Sequence, residues 1–313
     1  MVSDKIGKVC VIGSGYLGTQ IGLLCAMHDY QVVMYDISQN ALESSSKEMN
    51  NYLNEWLNQK ELTRRRLSKT LGNVGFTKDL EDAVSGADIV IEAVVEVLDL
   101  KRDVFKRLDE LCSPETVIAT NSSSIRVSRI EDVCRSPERV INMHFYSYPW
   151  RSRVLELMKG TYTNDEVVSR AEAFSKSINV TPLLVKKEST GFIFNRVWRA
   201  VKKECLTVVD EGVASFEDVD RAWMSLYGVD VGPFGLMDRV GLDVVRDIEN
   251  IYYSESGDPR DAPPRVLLDK IKRGELGVKT GKGFYHYPNP RYLDPGWLHP
   301  KDQVREQVLY FLN

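Results

Sequence analysis

Short apolar runs alternate with amphipathic stretches from the amino terminus to about residue 186. This alternation is typical of βαβ units that build a parallel sheet. The apolar runs predict strands at Lys8–Gly13, Gln31–Asp36, Val74–Thr77, Ala87–Val94, Thr116–Asn121, Val140–Tyr146, Val154–Lys159 and Thr181–Lys186. Between the second and third strands, a polar region from Ser38 to about Lys69 predicts a helical insertion. It is longer than a simple crossover requires, so we expect it to protrude.

Strand signals stop at Gly191. The pattern then predicts helices over Phe192–Val213, Phe216–Tyr227 and Gly235–Tyr253, with glycine or proline between them. We therefore predict an α/β domain with a mostly parallel sheet over residues 1–187 and an all-α domain over residues 188–313. From about residue 287 the chain is rich in proline and aromatic residues, and it ends in a short amphipathic segment, Asp302–Leu312. We predict no architecture for this tail.

A glycine-rich turn follows the first strand at G-x-G-x-x-G spacing, in Gly13-Ser-Gly15-Tyr16-Leu17-Gly18. The first glycine permits a tight turn, the second lets backbone N–H groups approach a pyrophosphate, and the third lets helix and strand pack closely. The next strand ends in Asp36, whose carboxylate can accept both ribose hydroxyls of an adenosine and would repel a 2′-phosphate. These features predict a Rossmann-like domain that binds NAD rather than NADP. The alternative is a plain strand-to-helix turn with a solvated aspartate.

Bulk composition excludes several classes of protein. The chain has 313 residues, 43% of them hydrophobic and 27% charged, with a net charge of −4. Nothing in this balance attracts nucleic acid or an anionic membrane. The five cysteines form no C-x-x-C pair, which predicts free thiols in a reducing compartment and no metal site. There is no signal-peptide core and no apolar run near the ~20 residues that span a bilayer, so we expect a cytoplasmic, soluble protein.

One histidine stands in a position suited to chemistry. His144 lies toward the end of a predicted strand, and ligands of open α/β sheets bind beyond the carboxyl ends of the strands. Glu156 is an acid inside the next apolar strand, and a buried carboxylate needs a partner. A histidine beside a carboxylate gains a fixed tautomer and a stabilised imidazolium. The alternative is a surface histidine and an unrelated acid. His28 is expected at the surface, and His286 and His299 lie in the tail.

The order and spacing of several motifs resemble the 3-hydroxyacyl-CoA dehydrogenase family, from about Lys8 to Tyr287. Besides the glycine turn and Asp36, the matching segments are Val90-Ile-Glu92-Ala-Val-Val-Glu96, Lys101-Arg-Asp-Val-Phe-Lys-Arg-Leu, Ala119-Thr-Asn121-Ser-Ser123-Ser, Met143-His144-Phe145, Leu155-Glu156-Leu, Gly191-Phe-Ile-Phe-Asn195-Arg196, Gly232-Pro233-Phe234-Gly-Leu-Met-Asp238, Gly241-Leu-Asp243 and Lys279-Thr-Gly-Lys-Gly283-Phe-Tyr.

The resemblance implies a catalytic role for four side chains. His144 corresponds to the catalytic base, Glu156 to the acid that orients it, and Ser123 and Asn195 to groups that hold the reacting oxygen. Two of them have simpler alternatives: Ser123 as a helix N-cap and Asn195 as a polar residue in the first turn of a helix.

The resemblance also implies cofactor contacts. Glu96 and Lys101 correspond to residues near the nicotinamide ribose, and Lys279 to one that approaches from the carboxy-terminal side. Each of these three could instead be a solvated charge. Asn121 belongs to the same cofactor-binding set, and Ser147 stands where an asparagine often contacts the nicotinamide.

Two segments depart from the family pattern. The family usually continues His-Phe-Phe with Asn-Pro or Ser-Pro, whereas this chain has His144-Phe-Tyr146-Ser-Tyr148-Pro-Trp150. We expect the added aromatic residues to reshape the pocket beside the reacting carbon. Ser189-Thr190-Gly191-Phe192 replaces Thr-Pro-Gly-Phe, which loosens a turn without touching the chemistry.

A basic stretch lies where the protruding helical pair of the family meets the CoA nucleotide. It comprises Arg64, Arg65, Arg66 and Lys69, with Lys60 nearby. Arginine forks suit phosphates, so the stretch is a candidate CoA site. The alternative is a solvated basic helix face.

The leading functional hypothesis is NAD-dependent oxidation of the 3-hydroxyl of an L-3-hydroxyacyl-CoA, a reaction of fatty acid metabolism. A second hypothesis keeps the chemistry but acts on a small non-CoA hydroxy compound of the carnitine, gulonate or pyridine-alcohol type, with Arg151 or Arg153 as a possible acid clamp. A third is a non-catalytic, crystallin-like NAD-binding protein. By analogy, the family pairs through its helical domain, which predicts a homodimer with apolar contacts from Val197–Val213 and Leu236–Ile251.

Overall fold

A computed structural model describes residues 7–298 of the chain. His299 and the predicted segment Asp302–Leu312 lie outside the described residues. The chain divides into two compact units between Phe194 and Asn195. This division falls a few residues beyond the boundary predicted from the sequence.

The first unit is built on one sheet, whose eight strands within residues 7–298 confirm the predicted set. They are β1 (Lys8–Ile12), β2 (Gln31–Tyr35), β3 (Val74–Thr77), β4 (Ile89–Glu92), β5 (Val117–Thr120), β6 (Val140–Phe145), β7 (Val154–Lys159) and β8 (Thr181–Val185). Their order is β3-β2-β1-β4-β5-β6-β7-β8. Neighbouring strands are parallel except β6 and β7, which are antiparallel with His144 opposite Glu156. The fold is therefore the predicted mostly parallel α/β sheet.

Helices cover both faces of this sheet. They are α1 (Tyr16–Met27), α2 (Gln39–Asn58), α3 (Arg64–Gly72), α4 (Leu80–Val84), α5 (Leu98–Leu111), α6 (Pro149–Ser152) and α7 (Asp165–Ser177). One apolar layer includes Ile21 of α1, Met49 of α2 and Phe174 of α7, while Phe105 of α5 belongs to the opposite layer. Strands buried on both faces need near-continuous apolar runs, which is what β4 and β5 contain.

The insertion after β2 is the pair α2 and α3. The hydroxyls of Ser38 and Thr63 cap the two helices by accepting the amide hydrogens of Ala41 and Arg66. One face of α2, with Met49 and Leu53 fully buried, belongs to the core of the unit. The insertion therefore packs against the unit along this face of α2, and its protrusion stays a prediction.

The second unit is helical, as predicted. Its helices are α8 (Phe194–Asp210, which begins at the last residue of the first unit), α9 (Phe216–Tyr227), α10 (Pro233–Val240), α11 (Leu242–Ser256) and α12 (Arg265–Lys272). The single helix predicted over Gly235–Tyr253 is wrong, because the chain breaks at Gly241 with φ of 102°. Only glycine adopts this conformation readily. A Cβ there would also lie 3.0 Å from Asp243 Oδ1 and 3.2 Å from Lys279 Nζ.

The described part of the tail completes the core of the second unit. Tyr292 and Trp297 are buried in the same cluster as Phe234 and Phe284. Beside them, the buried carboxylate of Asp220 accepts hydrogen bonds from the Phe234 and Gly235 amides and from the Tyr285 hydroxyl. The proline and aromatic residues up to Leu298 are thus structural. Among residues 7–298, no helix combines the length and the apolar character needed to cross a membrane.

Candidate active site

Two of the three glycines of the first turn leave no room for a side chain, and the third faces open space. Gly13 has φ of 101°, and a Cβ there would lie 2.7 Å from the Ala93 carbonyl oxygen. A Cβ on Gly18 would lie 2.0 Å from the Gly13 carbonyl oxygen, so this residue allows α1 to approach β1. At Gly15 a Cβ would meet nothing within 4 Å. The open space at Gly15, beside the first turn of α1, is where a phosphate could approach the backbone.

Asp36 is held at the edge of a cleft of about 370 Å³. Its two carboxylate oxygens accept hydrogen bonds from the amides of Ser14 and Ser38, each at 2.9 Å. The cleft, called here the Asp36 cleft, is also lined by Gly13, Gly15, Ile37, Leu80 and Arg107. An anchored carboxylate beside an apolar slot and an open glycine turn fits the adenosine and pyrophosphate of NAD. No motif in the sequence marks Arg107 as a residue of this cleft.

A second cleft, of about 210 Å³, contains the candidate catalytic histidine. This His144 cleft is lined by Leu17, Ala93, Val94, Glu96, Lys101, Asn121, Ser123 and His144. Ala93 and Val94 also line the Asp36 cleft, so the two are contiguous along the carboxyl ends of β1 and β4. This edge is the expected ligand-binding edge of an open α/β sheet. The first unit therefore brings together most of the residues predicted to contact the nicotinamide end of the cofactor.

His144 and Glu156 form a buried pair across β6 and β7. His144 Nδ1 lies 3.0 Å from Glu156 Oε2, and Glu156 is fully buried. Glu156 Oε1 accepts the Ile193 and Phe194 amides at 2.9 Å, and Oε2 also accepts the Tyr146 hydroxyl at 2.6 Å. Burial alone would raise the pKa of Glu156, but these donors outweigh it and lower that pKa below its usual value. Glu156 is therefore an anion, and Nε2 is the imidazole nitrogen that does not face it.

Two aromatic rings hold the imidazole in place. Phe192 stacks on His144 with ring centres 4.7 Å apart and an interplanar angle of 24°. Tyr146 packs its ring at 4.6 Å and 64°. These ring contacts were not predicted, although Tyr146 follows His144 by two residues and so shares its face of the predicted strand.

A buried ion pair lies beside the His144 cleft. Lys101 Nζ is 2.7 Å from Glu92 Oε1 and 3.3 Å from Glu96 Oε2, and Lys101 is only 1% exposed. The Thr120 hydroxyl donates to the other oxygen of Glu92 at 2.7 Å. The solvated alternative is wrong for Lys101. No role was predicted for Glu92, although an acid at the end of an apolar strand indicates a buried partner.

Glu96 is held by the serine run that follows β5. Its Oε1 accepts hydrogen bonds from the Ser122 hydroxyl and from the Ser124 amide and hydroxyl. Burial would raise the pKa of Glu96, but Lys101 and these serines lower it. Glu96 is thus an oriented carboxylate at the rim of the cleft.

The local turn after β5 does not use the Ser123 hydroxyl. The neighbouring Ser122 makes the local turn contact, its hydroxyl accepting the Ile125 amide at 2.8 Å. Ser123 is exposed and lines the His144 cleft. Asn121 lines it too, and its Oδ1 accepts the Phe145 amide at 2.8 Å, which ties the end of β6 to the segment after β5.

The other predicted site residues are placed separately. Ser147 is exposed, directly after β6 and Tyr146, and Tyr16 is 58% exposed at the start of α1. Asn195 is the second residue of α8 and the first of the second unit. Lys279 belongs to the second unit, where its Nζ lies 2.5 Å from Asp243. The proposed ligand contacts of these residues stay predictions.

The added aromatic residues pack against the helical insertion. Tyr148 and Trp150 join Tyr16, Tyr52 and Trp56 in an aromatic cluster with ring centres 5.0–6.3 Å apart. Gln20 links the same elements by accepting the Tyr148 amide at 2.6 Å and donating to the Tyr52 hydroxyl at 3.4 Å. Within the part of the chain that the structure describes, neither Tyr148 nor Trp150 lines the His144 cleft. We therefore correct the expectation that both added aromatics reshape the reacting pocket, because they contact α2 instead.

The basic stretch divides into paired and unpaired residues. Arg66 and Lys69 lie 2.9 and 2.8 Å from the Asp29 carboxylate, and Arg66 also donates to the Met27 carbonyl. Arg64 and Arg65 are exposed and make no ion pair within the described chain. Arg64 and Arg65 are thus the members of the stretch that are free to meet a phosphate.

A larger hollow, of about 790 Å³, lies away from these clefts and is lined by His28, Tyr30, Arg170 and others. His28 Nδ1 contacts the Leu24 carbonyl, and Asp29 is engaged by Arg66 and Lys69. This hollow therefore holds no histidine–carboxylate pair comparable to His144 and Glu156.

Residues 8–189 match the family described as 3-hydroxyacyl-CoA dehydrogenase, NAD binding domain, and residues 191–287 match the C-terminal domain of the same enzymes. The chain is 34% identical over 280 residues to 3-hydroxybutyryl-CoA dehydrogenase of Clostridioides difficile, covering 90% of this chain and 99% of that one. It is 32% identical to 5-formyl-3-hydroxy-2-methylpyridine 4-carboxylate 5-dehydrogenase of Mesorhizobium japonicum, covering 90% and 91%. The crystal structure of (S)-3-hydroxybutyryl-CoA dehydrogenase PaaH1 from Ralstonia eutropha superposes with a TM-score of 0.86 at 32% identity, covering 91% of this chain and 100% of that one. The chain belongs to the 3-hydroxyacyl-CoA dehydrogenase family, and it is an NAD-dependent dehydrogenase that acts on a CH–OH group.

Proposed function

We propose that the protein oxidises the 3-hydroxyl of an L-3-hydroxyacyl-CoA to the ketone, and reduces it in reverse, with His144 as the general base. The observation that carries this proposal is the buried His144–Glu156 pair in a cleft that is contiguous with the Asp36 cleft. A base beside the nicotinamide end of a dinucleotide site is the arrangement that alcohol oxidation requires.

Four residues that line the His144 cleft have a part in this reaction. NAD, when bound, supplies the hydride acceptor. His144 Nε2 takes the proton of the substrate hydroxyl, and the Glu156 anion stabilises the imidazolium that forms. The Ser123 hydroxyl hydrogen-bonds the reacting oxygen as it becomes a carbonyl, and the same role for Asn195 stays a prediction from the family resemblance. Lys101 and Glu96, held by Glu92 and the serine run, meet the nicotinamide ribose.

The substrate class follows from the family and from the aromatic cluster. The altered segment after His144 was the main reason to consider a non-CoA substrate, and its Tyr148 and Trp150 are used in packing against α2. Arg64 and Arg65 remain available on the same insertion to bind the CoA phosphates. An acyl-CoA substrate therefore accounts for these two exposed cations. It also assigns the enzyme to fatty acid metabolism.

We further propose a cytoplasmic homodimer that pairs through the second unit. All five cysteines are buried free thiols, as suits a reducing compartment. The second unit exposes apolar side chains on α8 and α11, among them Val197, Val244 and Ile251. We expect light scattering of the purified protein to give twice the mass of the 35.6 kDa chain. A mass of one chain at micromolar concentration would refute the dimer.

Removing the base should abolish turnover but not cofactor binding. With acetoacetyl-CoA as substrate, we expect His144→Gln to slow NADH oxidation by about 10²–10⁴-fold, because proton transfer in the transition state is lost. NADH absorbance measures the rate, and quenching of protein fluorescence measures NADH binding. His28→Gln, which alters a histidine outside the cleft, is the matched control. If the unaltered protein binds NADH but does not oxidise it with acetoacetyl-CoA, the acyl-CoA substrate is wrong and a small hydroxy compound takes its place.

Asp36 should select NAD over NADP. In Asp36→Asn we expect NADH affinity to fall about tenfold, since charge-assisted hydrogen bonds to the ribose are weakened. Affinity for NADPH should fall less or rise, because the repulsion of its 2′-phosphate is removed. Fluorescence titration with both cofactors gives the ratio. Asp99→Asn is the matched control, because it removes the same charge at an exposed position early in α5. An unchanged preference for NADH in Asp36→Asn would contradict the assignment.

The exposed arginines of the insertion should matter only for substrates that carry the nucleotide. For the double variant Arg64→Ser, Arg65→Ser, we expect KM for acetoacetyl-CoA to rise about 5- to 30-fold with kcat nearly unchanged, as each arginine–phosphate contact contributes about 0.5–1 kcal/mol at an exposed site. KM for acetoacetyl-N-acetylcysteamine, which lacks the nucleotide, should not change. Arg135→Ser serves as the exposed control. An equal effect on both substrates would rule out a CoA contact.

A further inference from the structure

Tyr146 shares the carboxylate oxygen that orients the catalytic histidine. Its hydroxyl donates to Glu156 Oε2 at 2.6 Å, and His144 Nδ1 contacts the same oxygen at 3.0 Å. The phenol ring is half-buried, between the imidazole at 4.6 Å and Phe194 at 5.6 Å. The shorter of the two contacts to this oxygen is therefore the one made by tyrosine.

The phenol stays a donor throughout the working pH range. Burial and the neighbouring Glu156 anion raise the pKa of Tyr146 far above its usual value. A protonated phenol that donates to a carboxylate draws negative charge toward itself. Less of that charge then remains to stabilise an imidazolium on the other side of the same oxygen.

We propose that Tyr146 is a positioning residue that acts through Glu156 and lowers the pH at which His144 gains its proton. The inference rests on the proposed function in taking His144 as the base. In the oxidation direction, where His144 must be neutral, Tyr146 extends activity to lower pH. In the reduction direction His144 must carry the proton, so the rate falls as the pH rises. With Tyr146 present, this fall begins at a lower pH than it would without the phenol hydroxyl.

The other charged groups around the pair are not altered by removing the phenol hydroxyl. In the His144 cleft these are Lys101 and Glu96, with Glu92 bound behind them. The start of α8 and the residue before it offer Glu156 the amides of Phe194 and Ile193, which carry no charge. On β8, the residue opposite Glu156 is Leu183, which carries no charge. Tyr146→Phe therefore removes one donor from Glu156 and leaves every formal charge in place.

A direct test follows the His144 imidazole by NMR, without any substrate. The chain has four histidines, so histidine labelled with ¹³C at Cε1 gives a simple spectrum that His144→Gln assigns. In Tyr146→Phe we expect the midpoint of the His144 titration to rise by about half a unit to one unit, the shift expected from losing part of a charge-assisted hydrogen bond. Site-specific 3-fluorotyrosine at position 146, a more acidic phenol and stronger donor, should move the midpoint down.

Kinetics in both directions give a second, signed readout. In Tyr146→Phe the acid limb of the pH–rate profile for oxidation and the alkaline limb of the profile for reduction should both shift to higher pH by the same amount. At a pH on these limbs, oxidation becomes slower by up to tenfold and reduction faster by a similar factor. A variant that is merely misfolded or poorly packed would lose rate in both directions.

Tyr30→Phe is the matched control. Tyr30 is a buried tyrosine whose hydroxyl pairs with Ser177, outside the His144 cleft. It should leave the His144 midpoint and both profiles unchanged. If the His144 midpoint is the same in Tyr146→Phe and in the unaltered protein, or if fluorotyrosine fails to move it, the inference is wrong. If the midpoint moves as expected but acetoacetyl-CoA is not turned over, the inference stands and the proposed substrate fails.

Discussion

The buried carboxylate of Glu156 is the interaction on which the site depends. It accepts hydrogen bonds from the His144 ring across β6 and β7, from the Tyr146 hydroxyl, and from the amides of Ile193 and Phe194. A carboxylate without such donors would cost several kcal/mol to bury. The partners of Glu156 come from separate parts of the chain. Glu156 is therefore stable as an anion only when the sheet and the start of α8 are both folded. The chemistry of His144 is therefore tied to the completion of the fold.

Local signals were enough to predict the framework. Strands such as β4 and β5 are apolar on both faces, and Gly13 and Gly18 stand where a side chain would collide with backbone. The pairing of His144 with Glu156 could be predicted for a similar reason, because an acid in a buried strand needs a partner. The geometry of the pair could not be predicted. It depends on the antiparallel register of β6 and β7, a long-range fact that the sequence pattern does not contain.

The residues that were misjudged are those whose roles depend on distant neighbours. Gly241 lies inside a helical pattern, and only its conformation shows that the chain breaks there. Tyr148 and Trp150 lie close to His144 in sequence, which suggested a place in the pocket, but their rings meet Tyr52 and Trp56 of the insertion. Such aromatic pairs add about 0.5–1.5 kcal/mol each beyond the area they bury. They couple the segment after the catalytic strand to α2, so the position of Ser147 and the position of the insertion are linked.

The buried pair of Lys101 and Glu92 shows a similar arrangement at the other side of the cleft, where a buried carboxylate again holds a charged side chain. A buried ion pair seldom stabilises a fold more than apolar residues of the same size, because both charges lose their hydration. Its presence here therefore points to position rather than stability. Glu92, itself held by Thr120, fixes the ammonium of Lys101, and Lys101 in turn orients Glu96 at the rim. Glu156 fixes His144 in a comparable way, so Lys101 and His144 are each held by a buried carboxylate behind the cleft. Such preorganised charges need little rearrangement when a substrate binds, which is the condition under which electrostatic groups contribute most to catalysis.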